Sequence, residues 1–132
     1  MLSPITVRQF EGLRSKYQDS TLTELPSTAA LVCIPNFKIP NGWNTQNTKV
    51  WFIVPAGYPG PCPDCFWADS NLRLASGAIP QAANLTNQIP EAGIVALWFS
   101  WHVQDIQKNW NPNRDELITY AGIIYDRFCK LQ

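Results

Sequence analysis

His102 is the sole histidine of the chain, and Ser100 stands two residues before it. An imidazole titrates near neutrality and suits proton transfer. In an extended segment alternate residues project to one face, so Ser100 and His102 would share it. A serine hydroxyl activated by a neighbouring imidazole can accept an acyl group as an oxyester. The acid that would orient the imidazole is Asp64, Asp105 or Asp115, and spacing does not choose among them. The plainer alternative is a histidine that hydrogen-bonds its own loop and fixes its path.

Cys62 and Cys65 form a Cys-x-x-Cys spacing. A redox pair belongs ahead of a helix, whose dipole lowers a thiol pKa. Here Pro59, Pro61 and Pro63 surround the motif and an apolar strand follows. A zinc site needs a second ligand pair, and Cys33, Cys129 and His102 make no recognisable spacing. We expect structural thiols, with Cys33 and Cys129 as packing residues and no metal or other cofactor. Six tryptophans invite a functional question. Trp51 and Trp98 lie in apolar runs and are expected in the core. Trp43, in a Pro/Asn/Gly loop, and Trp101, beside His102, are expected to face solvent as anchors for a protein partner.

The elements that must position these residues begin with a helix. Ser3 and Pro4 read as an N-cap and first-turn proline, and Val7, Phe10, Leu13 and Tyr17 recur at helical spacing, which predicts a helix over 4–18. Asp19-Ser20 ends it. Strands are expected over 28–34, 49–54 and about 64–69, with Asn41-Gly42 as a turn. The run Val50-Trp51-Phe52-Ile53-Val54 is apolar on both faces, which predicts a central, doubly covered strand. Residues 75–92 read as a long loop and 93–99 as a buried extended segment. Asn111-Pro112-Asn113 reads as the opening of a last helix, with Asp115 and Glu116 in its first turn and Leu117, Ala121, Ile124, Phe128 and Leu131 on one face. Helix, strands, loop and helix make an α+β pattern with about four meandering antiparallel strands.

At 132 residues the chain is expected to be one domain over 1–132. Ten basic and ten acidic residues cancel and no basic block stands out, which argues against nucleic acid as a partner. No apolar run reaches the roughly 18–20 residues a membrane span needs. The segment Met1–Arg8 lacks the apolar stretch of a signal peptide, so the cytoplasm is the expected location and reduced thiols the expected state.

Tyr58-Pro59-Gly60-Pro61-Cys62-Pro63, followed by Phe66-Trp67, resembles the Tyr-Pro-x-x-Pro-Pro-x-x-x-Phe signature of the ubiquitin-conjugating (UBC) fold, with Cys62 where the first proline of the pair would stand. Trp110-Asn111-Pro112 resembles the Trp-x-Pro that follows that family's catalytic cysteine. The order of these pieces, with Ser100-Trp101-His102 and Asp115-Glu116-Leu117, is most similar to bacterial UBC-like proteins of ubiquitin-like and multi-ubiquitin modification operons, over residues 4–132. The resemblance implies a UBC-like fold, a ubiquitin-like protein and its activating enzyme as partners, and a site near Tyr58. It also implies a nucleophilic cysteine eight residues before Trp110, and His102 stands there instead. The family's His-Pro-Asn is missing too. The expected role is therefore to handle or recognise a ubiquitin-like protein, with three versions open: transfer through His102 and Ser100, a scaffold without catalysis, or a thioester carried by Cys65.

Overall fold

The helix α1, Pro4–Lys16, forms where Ser3 and Pro4 direct it. The Ser3 hydroxyl accepts the Thr6 N–H at 3.3 Å, and Pro4 has no N–H to leave unsatisfied. Asp19, at φ 68, turns the chain away after it. Thr6, Gln9, Phe10 and Leu13 are buried while Val7 is 42% exposed, so the buried face is rotated from the expected one. The computed structural model describes residues 2–101 and 106–132.

Beyond α1 run β1 (Thr21–Glu24), β2 (Ala30–Lys38), β3 (Asn47–Val54), β4 (Phe66–Ala68), β5 (Ala83–Asn84) and β6 (Leu97–Phe99). All pair antiparallel in one sheet of order β1-β2-β3-β4-β6-β5. The sheet thus has six strands rather than about four. β2, β3, β4 and β6 meander as expected, while the unexpected β1 and β5 take the two outer edges. Pro35 cannot donate to the ladder, and the β2–β3 register shifts between Ile34 and Phe37.

Alternation along β3 separates two apolar layers. Val50, Phe52 and Val54 face the main core with Phe66, Leu97 and Phe99, and α1 and the last helix cover that side. Trp51 and Trp67 face the other way, in a second cluster with Leu31, Ile89 and Ala96, and Trp98 packs half-buried against it. Trp51 stands opposite Trp67, and Trp67 opposite Trp98, so three indoles cross the sheet in one row. The long loop is their cover. Ile89 is its buried plug, Trp67 Nε1 donates to the Asn87 carbonyl at 3.0 Å, and Glu91 accepts from the Ser27 N–H and hydroxyl at 2.8 and 2.7 Å. This explains a strand apolar on both faces.

A short helix α2, Ile106–Asn109, leads to Trp110. The last helix, α3, spans Leu117–Phe128, so it starts later than Asn111-Pro112-Asn113 suggests. The Asp115 carboxylate accepts the Asn111 N–H at 2.8 Å, and the Arg114 and Asp115 N–H groups both return to the Asn111 carbonyl. Residues 111–115 close into a single turn that α3 does not continue. Glu116 instead caps α3, its N–H donating to the Thr119 hydroxyl at 3.0 Å. Leu131 lies beyond the helix and is 54% exposed rather than on its apolar face.

Candidate functional site

The Tyr58-Pro59 corner is a tight turn. Gly57 takes φ 85, which an L side chain resists, and the Tyr58–Pro59 peptide is cis. Tyr58 points inward, only 4% exposed. Its hydroxyl donates to Gln9 Oε1, which also accepts the Leu117 N–H at 3.2 Å. One side-chain oxygen of α1 therefore holds the proline corner and the first turn of α3 together. Burial, then the Glu116 carboxylate, pushes the Tyr58 phenol up to about 12, so it remains a donor at any physiological pH. The Tyr58 ring meets Trp110 edge-on at 6.2 Å. Trp110 Nε1 is buried beside it. A depression of about 200 Å³ lies beside it, lined by Ile106, Asn109, Trp110, Arg114, Asp115, Thr119 and Ile123.

Ser100 continues β6 by one residue. Its N–H and its hydroxyl both donate to the Ala82 carbonyl, at 2.8 and 3.0 Å. The hydroxyl proton is thus directed at a backbone acceptor. Trp101 is half-buried, with the Arg127 guanidinium 5.3 Å and the Lys130 ammonium 5.9 Å from its ring centroid. His102 and Asp105 lie outside the described residues, so the Ser100–His102 pairing does too. Among the other acids proposed to orient His102, Asp115 is engaged by Asn111 and by Arg114 at 3.2 Å, and the Arg114 guanidinium holds its carboxyl below the usual range. Asp64 Oδ1 accepts the Cys65 N–H at 3.1 Å.

Trp43 is not a surface anchor. It is 6% exposed, its indole N–H donates to the Phe128 carbonyl at 2.9 Å, and its ring meets Phe128 at 5.4 Å. The Asn41-Gly42 turn ahead of it does not carry it into solvent, because the end of α3 captures it. Cys129, expected to pack, is exposed. Sequence reading also missed Gln9, Tyr120 and Arg127. Each is a polar-bearing side chain on the apolar side of a helix, and that position was the available signal.

The Cys62-x-x-Cys65 pair splits across the sheet. Cys62 belongs to the main core and Cys65 packs against the tryptophan layer. Cys65 sits at φ 54, where its carbonyl accepts the Tyr120 hydroxyl at 2.8 Å. Burial raises the thiol pKa of Cys33, Cys62 and Cys65, which leaves them poor nucleophiles at neutral pH. Native alkylation at pH 7 is therefore expected to modify Cys129 first, with the other three following on unfolding; peptide mapping over a time course reads the order. Among the described residues no group of three or more His, Cys, Asp or Glu side chains is placed to hold a metal ion, and no helix is long and apolar enough to cross a membrane.

The chain is thus α+β, with a helix at each end of an antiparallel sheet and a proline corner packed on the tryptophan ahead of its last helix. The model of prokaryotic E2 family E matches residues 15–130, and the chain belongs to that family of bacterial E2-like proteins. No curated protein and no solved structure matches it.

Proposed function

We propose that the chain acts in a bacterial ubiquitin-like modification pathway as a UBC-like domain over residues 1–132, engaging a ubiquitin-like protein and its activating enzyme in the cytoplasm. The observation that carries this reading is the Tyr58–Trp110 contact at 6.2 Å. It joins the two stretches of the resemblance into one corner, and the depression beside Trp110 offers a modifier tail a place to lie. Ser100 and His102 are the reacting pair. Ser100 Oγ attacks the thioester carbonyl at the modifier's C-terminal glycine while His102 takes the hydroxyl proton. The C–O bond forms, the C–S bond to the activating enzyme breaks, and the thiolate leaves. Trp101 is the side chain beside this pair that a partner meets.

A scaffold without catalysis is the second reading, favoured by the Ser100 hydroxyl, which already donates to the Ala82 carbonyl. Incubation with the activating enzyme, a ubiquitin-like modifier and ATP separates the two. Transfer gives a reductant-resistant, hydroxylamine-labile adduct that Ser100→Ala and His102→Ala abolish. The scaffold binds the modifier or its activating enzyme and forms no adduct. Absence of both adduct and binding would remove the pathway role.

A further inference from the structure

Arg127 is 1% exposed, and no Asp or Glu carboxylate among the described residues pairs with it. A buried cation is costly unless its donors are satisfied, and here Nε has no hydrogen-bond partner among the described residues while the two Nη groups are engaged. Its two Nη groups reach three main-chain oxygens: Nη1 donates to the Lys130 carbonyl at 3.0 Å, and Nη2 to the Gln81 carbonyl at 3.0 Å and to the terminal oxygen of Gln132 at 2.9 Å. The guanidinium also lies against two rings, 5.2 Å from Phe99 and 5.3 Å from Trp101. Phe99 and Trp101 flank Ser100, and Gln81 precedes Ala82, whose carbonyl holds Ser100. The segment after α3 is anchored in turn. Leu131 lies over Gly42, where a Cβ would come within 2.6 Å of it, and Lys130 reaches the Trp101 ring.

We infer that Arg127 is a positioning residue: its guanidinium ties the segment after α3 and the Gln81 loop to Phe99 and Trp101, and so fixes the Ser100–Trp101 side of the site from behind. Burial costs Arg127 some of its charge preference and lowers its pKa, in keeping with a group held for geometry. Lysine cannot replace it, because an ammonium neither bridges three main-chain oxygens in a plane nor stacks on two rings.

The role of Ser100 in transfer rests on the function proposed above, so the test reads position and activity separately. Arg127→Met and Arg127→Lys are compared with the unaltered protein. The readouts are the Trp101 indole N–H resonance, assigned with Trp101→Phe, and amide exchange along the chain. Both variants are expected to shift the Trp101 resonance and to speed exchange at residues 99–101 by about tenfold or more, with β2 and β3 still protected. In the adduct assay they are expected to slow transfer about tenfold, and displacement of Trp101 is expected to weaken partner binding as well. An unmoved Trp101 resonance overturns the inference, as does protection lost equally from β2 and β3, or lysine behaving like arginine. A protein that forms no adduct even with Arg127 intact would sink the transfer reading and leave the Trp101 result to decide the positioning role.

Discussion

Trp43→Ala is expected to lower stability by about 3–5 kcal/mol, the range for emptying a buried aromatic site. The indole leaves a cavity beside Phe128, its edge contact at 5.4 Å is lost, and the Phe128 carbonyl loses its donor. Trp101→Ala, by contrast, is expected to cost only about 1 kcal/mol, because a half-exposed ring over cations contributes modestly. Urea unfolding checks both through the midpoint at unchanged slope. Equal costs for the two tryptophans would contradict the placement of Trp43 in the core. Trp43→Phe separates the parts, since it keeps a ring against Phe128 and removes only the hydrogen bond.

Gln9→Leu carries the second large effect, about 2–4 kcal/mol. Its oxygen is the acceptor for both the Tyr58 hydroxyl and the Leu117 N–H, and leucine would strand two buried donors at about 1–3 kcal/mol each. The effect has an internal control. Tyr58→Phe alone is expected to cost about 1 kcal/mol, but in the Gln9→Leu background it should be neutral or stabilising, because it deletes one of the stranded groups. Strict additivity of the two substitutions would show that the bond does not hold the corner to α1.

What the sequence allowed and what it concealed follow from how local each determinant is. Ser3 and Pro4 start α1 by chemistry within one turn, and the doubly apolar run of β3 reports its own burial. The strands β1 and β5 span four and two residues, too short to show a period, and exist because β2 and β6 offer them partners. The start of α3 was misleading because Asn111, Pro112 and Asp115 are the residue types of a helix N-terminus. Only the return of the Asp115 carboxylate to the Asn111 N–H shows that they form a separate turn. Trp43 was misread for a similar reason, since its loop looks solvent-exposed until a partner 85 positions away supplies the carbonyl.

The pieces of the candidate site stood out in the sequence as Tyr58-Pro59 and Trp110, but the contact between them, at 6.2 Å, is a fact of the fold that no spacing reveals. The polar residues that hold them were not legible, because Gln9 and Arg127 interrupt apolar faces, and such interruptions gain meaning only when their buried partners are known. The pair of cysteines was set aside as structural on sequence grounds. Their division between the two layers and the burial that raises both thiols fit that view.

The central claim is that this bacterial E2-like chain takes part in modifier transfer without a cysteine. The most direct measurement is intact mass after reaction of a variant with Cys33, Cys62, Cys65 and Cys129 all changed to alanine, supplied with activating enzyme, modifier and ATP. The account predicts a gain of one modifier less one water, at a rate matching the unaltered protein. An adduct formed by the unaltered protein, cleaved by reductant and absent from the cysteine-free variant, would contradict it.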